Sequence, residues 1–397
     1  MDAAIVSVHE VRVGRLDRLS DDEDFVFTFD PAWLADPDRP TLGQLFVDRM
    51  PKRIETSGLP CWFDHLLPPP RGPARRLLQR WAGLDEEEDD LFALLVAMGA
   101  DLPGAVTLEP AELRLFGPGS YARRIRREPA APEYALPGAQ SKISARDGQG
   151  GLVVAARGEK GHYIAKFDDP RYPELPRLEW ATTEWASRAG VNVHDADLVS
   201  TAAFGALPEG LHVGDGQVFL ATRFDRSPEG SVHAEDLGQL LDIPAARLYH
   251  ASYEAIGEAL RWLCPDDVQE YVERLGFMLV CGNGDAHLKN WGVIYPDRRT
   301  PRLGPAYDLV ATVARAPRDT LALSLDGSKA FESVSRSSFR SLARALEADE
   351  AQVVHWIRAA CARAQEVWRS GAGDLPLTAD ERERIDDHIR RVPLLAE

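Results

Sequence analysis

The chain has 397 residues, 44% of them apolar, and a formal net charge of −17. That length accommodates two or three domains with substantial cores, and the charge argues against broad electrostatic binding to nucleic acid or anionic membrane through this subunit. The N-terminal stretch MDAAIVSVHEVRVGRL lacks the basic start and apolar run of a signal peptide, and the longest apolar stretch, Leu91 to Ala100, is too short to span a bilayer. A cytoplasmic chain without membrane contact is therefore expected. Cys61, Cys264, Cys281 and Cys361 stand apart with no Cys-x-x-Cys pair, which suggests neither a disulfide framework nor a zinc knuckle.

Taken in order, residues 1 to about 30 alternate apolar and polar (Val6 and Val8, Val11 and Val13, then Phe25, Phe27 and Phe29), the period of a small antiparallel sheet. Pro51 to Pro73 is broken by prolines and glycines. Ala74 to Trp81 then reads as a basic helix with Arg75, Arg76 and Arg80 on a solvated face. The acidic run Asp85 to Asp90 leads into a helix near Leu91 to Met98, where negative charge complements the helix dipole. Pro129 to Pro137 marks a linker. The small, turn-prone Leu136 to Lys142 precedes extended pieces at Ile143, Leu152 to Val154 and His162 to Phe167, a twisted sheet whose first turn exposes N–H groups that suit a phosphate.

Only six of the 46 basic residues are lysines, and three of them, Lys142, Lys166 and Lys289, fall in stretches with chemical character. Lys166 ends a strand, as does the kinase lysine that contacts ATP phosphates and pairs with a helical Glu; Glu184, in the helical run Leu178 to Arg188, is the expected partner. Val218 to Phe224 is a further strand at a hinge position, with backbone groups near Thr222, Arg223 and Phe224 placed to read an adenine edge. From Ala234 the pattern is mostly helical, through Phe339 to Ala345, Ala351 to Val367 and Ala379 to Val392.

The strongest signal is Asn283-Gly284-Asp285-Ala286-His287-Leu288-Lys289-Asn290. Upstream, Val268, Tyr271, Val272, Leu275, Met278 and Leu279 recur at helical steps up to Cys281-Gly282. Downstream, Trp291 to Tyr295 reads as a strand, Pro296 to Pro301 as a turn, and a second extended piece leads into Asp308. A hairpin thus returns a second carboxylate to the loop. In kinases an Asp accepts the acceptor hydroxyl proton, an Asn five residues on holds Mg²⁺, and a second Asp completes the metal set. The Asp-x4-Asn spacing alone recurs in unrelated loops. Helix, loop, hairpin and second Asp together point to phosphoryl transfer.

The order Gly138-Ala139-Gln140, Lys166, Arg223-Phe224-Asp225-Arg226, Asp285-x-His287-x-Lys289-Asn290 and Tyr307-Asp308 resembles the HipA-type serine/threonine kinase toxins of bacterial toxin–antitoxin modules, essentially over the full length. Phe63-Asp64-His65-Leu66-Leu67-Pro68 and Gly104 to Leu108 extend the likeness to the N-terminal part. The resemblance implies an α+β, two-lobed protein-kinase-like fold with an extra N-terminal subdomain (1–128), a sheet-rich N-lobe (129–226) and a helix-rich C-lobe (227–397). It implies ATP and Mg²⁺, with Asp285 as base, Asn290 and Asp308 on the metal, Lys166 and the 138–140 loop on the phosphates, and His287 and Lys289 steadying loop or γ-phosphate. The partners it implies are a cytosolic protein substrate, in known members an aminoacyl-tRNA synthetase, and a helix-turn-helix antitoxin through which DNA is met only indirectly. The serine that several members autophosphorylate before the loop is replaced here by Ala135, with Ser141 and Ser144 close by. Two rival readings are a small-molecule phosphotransferase and a kinase-like scaffold that acts by binding an antitoxin.

Overall fold

Strict alternation at the N-terminus builds the first layer. In the computed structural model, which describes residues 2–19, 24–49, 52–69, 72–85, 90–111, 141–155 and 159–396, five antiparallel strands lie in the spatial order Arg53–Ser57, Asp24–Phe29, Val11–Arg18, Asp2–Val8 and Val106–Pro110. Val6, Val8, Val13, Leu16 and Phe27 point from it into a closed core. There Phe27 meets Phe63 edge-on at 5.1 Å, a favoured aromatic geometry. The helix Pro73–Trp81 covers this core. Arg75, expected on a solvated face, is buried instead, because its guanidinium donates to the Pro68 carbonyl at 2.8 Å and locks the preceding loop.

A second five-stranded antiparallel sheet runs Gly151–Val154, Lys142–Gly148, Tyr163–Lys166, Gln217–Thr222 and Ala196–Ser200. Its register sets Lys142 directly opposite Lys166, so both side chains leave the same face. The two sheets share one continuous core: Ile143, Ala165, Phe167 and Val218 pack with Leu94, Leu95 and Phe27.

The helix Leu175–Arg188 falls between the third and fourth strands of the second sheet in sequence, and it packs both on that sheet and into the helical lobe. Leu178, Ala181 and Trp185 belong to that core, and the Trp185 indole donates to Ala364 O at 2.9 Å beside the Trp368 ring. The lobe centres on Val268–Cys281 against Glu350–Gly371. Gly282, at φ +68, ends the first of these helices; a Cβ there would strike Val313 at 2.4 Å, so both the backbone and the packing require glycine. Strands His233–Asp236, Gly292–Tyr295 and Arg302–Leu303 form a small third sheet. The architecture is the expected α+β one, with a sheet-rich lobe, a helix-rich lobe and an added N-terminal subdomain.

Candidate active site

Loop 283–290 leaves the helix at Gly282 and is held by its own polar groups. Asn283 Oδ1 accepts from the Asp285 N–H at 3.0 Å, and the Asn290 amide nitrogen donates to Asp285 O at 2.8 Å. That donation turns the Asn290 Oδ1 outward as a free oxygen donor. Gly284 N–H donates to Thr312 Oγ1 at 2.7 Å, which ties the loop to the segment after Asp308. The Asp285 carboxyl is pushed up by burial, against the opposing influence of His287 and a hydrogen bond from Tyr249. His287 Nδ1 is buried with no partner, and its ring stands edge-on to Tyr249 at 4.8 Å.

Facing the loop, the Lys166 ammonium bonds both Glu179 and Asp308. Asp308 is held at φ +52, a backbone state that costs energy for a residue with a Cβ and marks a position fixed for its carboxylate. Burial works against that carboxylate's charge, yet Lys166 and Lys142 hold it well below the usual range. Lys142 is buried in the same cluster without a hydrogen bond or ion pair to any described residue, and burial pushes its ammonium down. Its nearest opposite charges are Asp308 and Glu179. Two lysines on one face, a fixed carboxylate and a free amide oxygen suit a polyphosphate with Mg²⁺. The metal prefers hard oxygen donors and keeps phosphate and water among its ligands. Among the described residues no cluster of three or more His, Cys, Asp or Glu forms a cage for a metal by itself.

Comparison with known proteins identifies this assembly. The sequence matches the family described as HipA N-terminal domain over residues 4–109 and that described as HipA-like C-terminal domain over residues 134–368. The chain belongs to the HipA family. It is 36% identical to "Putative kinase Y4dM" of Sinorhizobium fredii (strain NBRC 101917 / NGR234) over 94% of this chain and 93% of that one. It is 28% identical to "Putative kinase Y4mE" of the same strain over 73% of each. The HipA chain of the Shewanella oneidensis MR-1 HipA, HipB and operator DNA complex superposes with a TM-score of 0.72 at 19% identity, covering 99% of this chain and 96% of that one. The fold is therefore that of HipA.

Within this HipA-type chain the expected site residues divide. Asp285, His287, Asn290, Asp308 and Lys166 converge, as the charges each feels from the others record. Phe224 is half-buried with its ring 5.5 Å from Tyr307, beside Asp308. Gly138, Ala139, Gln140 and Ala135 lie outside the described residues.

Two expectations are corrected, and of the two roles expected of Lys289, steadying the loop or the γ-phosphate, the contacts fit the first. The helical partner of Lys166 is Glu179, not Glu184, which is half-exposed and pairs with Arg188 at 2.7 Å. Burial chooses between them: Pro176, Glu179 and Thr183 follow at helical steps and are all buried. Lys289 does not reach the phosphate side. Its ammonium donates to the carbonyls of His65 at 2.7 Å and Leu67 at 3.0 Å, and burial pushes it down to about 8. Arg223 offers no free edge to adenine: its N–H donates to His162 O, its carbonyl accepts from Arg226 N–H, and its side chain is buried between Asp101 and Asp225.

Lys289 exposes what sequence reasoning missed, a seam behind the loop. His65 bridges Asp236 at 2.9 Å and Ile243 O at 2.8 Å, and the Trp62 indole donates to Glu235 at 2.7 Å. The N-terminal subdomain is thus bonded to the back of loop 283–290, through the same Phe63 to Pro68 segment that carried the resemblance.

Proposed function

We propose that this protein is an ATP- and Mg²⁺-dependent serine/threonine kinase that acts on a cytosolic protein. The observation that carries this reading is the convergence of Lys166, Glu179 and Asp308 with Asp285 and Asn290. Bound there, ATP supplies the γ-phosphoryl group, and Mg²⁺ neutralises its phosphates. Lys166 and Lys142 would bind those phosphates, with residues 138–140 expected beside them from the resemblance, and Asp308 with the Asn290 Oδ1 would hold the metal. Asp285 orients the acceptor hydroxyl and takes its proton at a carboxylate oxygen. In a loose transition state most of the rate comes from this positioning and charge balance.

The names of two relatives, "Putative kinase Y4dM" and "Putative kinase Y4mE", and of a structural neighbour assembled with HipB and operator DNA support extending two partners to this chain. One is a DNA-binding antitoxin that neutralises the kinase. The other is a protein whose phosphorylation arrests growth, for which an aminoacyl-tRNA synthetase is the candidate. The test is transfer of γ-labelled phosphate from ATP and Mg²⁺ into a bacterial lysate by wild type and by Asp285→Asn. A labelled protein band in the first lane alone is expected. Label in neither lane, or in small alcohols only, would overturn the protein-kinase reading.

A further inference from the structure

The Asp285 carboxylate already has a hydroxyl on it. Tyr249 Oη donates to Asp285 Oδ1, in the place that an acceptor hydroxyl must take if Asp285 is to receive its proton. Asp285 does not need this bond for its placement, since its N–H is held by Asn283 and its carbonyl by Asn290. The tyrosine is also poorly anchored as a side chain and well anchored as backbone. Its residue is 44% exposed, and its ring meets His287 edge-on. Its carbonyl, by contrast, accepts from Lys329 Nζ at 2.8 Å, and the preceding Leu248 is buried with its carbonyl toward Leu288 N–H. Rotation of the side chain therefore costs little packing and leaves the main chain where it is.

Resting on the kinase reading above, we propose that Tyr249 occupies the acceptor position of the free protein, standing in for the hydroxyl of an incoming protein side chain. Docking of a substrate swings its ring away from Asp285. The phenol then lies at the rim of the acceptor subsite, and until it moves neither water nor a protein hydroxyl has Oδ1 of the base. A charge-assisted hydrogen bond that must break before docking weakens docking by roughly tenfold. Lys329 links the tyrosine's backbone also to Ala322 O at 2.7 Å, in the segment that follows Asp308, so a partner that shifts this segment would shift the gate.

The experiment uses the full-length chain with Mg²⁺ and γ-labelled ATP, with casein as protein acceptor and, separately, water alone as acceptor, followed as ADP release. Tyr249→Phe keeps the ring and removes only the hydroxyl, and its melting temperature should match wild type. The expected result is a KM for casein about tenfold lower and faster ADP release in water, with an unchanged KM for MgATP. A fall in kcat with the KM for casein unchanged would mean that the phenol orients the base, and the proposal would be wrong. Phosphate found on Tyr249 itself would equally overturn it, since the stand-in would then be a substrate. If wild type turns over ATP no faster than Asp285→Asn, the kinase reading fails and the gate with it. Wild-type turnover with a slower Tyr249→Phe removes the gate alone.

Discussion

The two ends of the segment Asp285 to Asn290 lie in one loop yet live in opposite conditions. At the front, Asp285 and His287 carry a strained charge balance: a carboxyl that burial pushes up, and a ring nitrogen without a partner. At the back, Lys289 is fully paired, with two carbonyls of the N-terminal subdomain on its ammonium. The difference separates residues kept for a ligand from residues kept for the fold. Unsatisfied buried groups cost stability and persist where a ligand completes them. Satisfied ones hold the loop rigid enough to present them.

The largest effect that breaks this contrast lies at the front. Asp285→Asn should reduce phosphate transfer by about 10²- to 10⁴-fold with no change in melting temperature, measured by initial rates and calorimetry. Asp308→Asn should match it in rate and also weaken MgATP binding, read by titration calorimetry. At the back the order inverts. Lys289→Met leaves the His65 and Leu67 carbonyls without their donor and should cost about 1–3 kcal/mol of unfolding free energy, with MgATP affinity retained. Unfolding in denaturant decides it; an unchanged midpoint with lost MgATP binding would put Lys289 back at the phosphates.

A smaller contrast tests the helix that supplies the partner of Lys166. Glu179→Gln should weaken MgATP binding several-fold by freeing Lys166, whereas Glu184→Gln, on a half-exposed pair, should be silent. A last effect concerns pH at the seam. Burial pushes the Glu235 carboxyl up to about 7 from an ordinary 4.5, against the hydrogen bonds it accepts from Tyr295, Trp62 and Gln44. Between those values the folded state binds a proton that the unfolded chain has released. Stability should therefore be full below pH 4.5 and fall by about 1.4 kcal/mol per unit as pH rises toward 7. Glu235→Gln should flatten that slope in melting temperatures taken across the range.

Much of this was legible in the amino-acid order because it is local. Period-two alternation produced the first sheet, helical spacing led to Gly282, and a short hairpin returned Asp308 beside Asn290. Each shows as a short-range period or turn in the sequence, where backbone geometry leaves few alternatives. The place of Lys166 at the end of a strand was likewise readable. Tertiary structure alone decided which helical face meets that lysine, and so chose Glu179 over Glu184. It alone sent Lys289 backward onto His65 and Leu67, buried Arg75 and Arg223, and set the Tyr249 hydroxyl on Asp285. Most of those pairings span from 13 to 224 residues, and a charged side chain's partner at that range is selected by which groups the packed cores leave buried and in need of one.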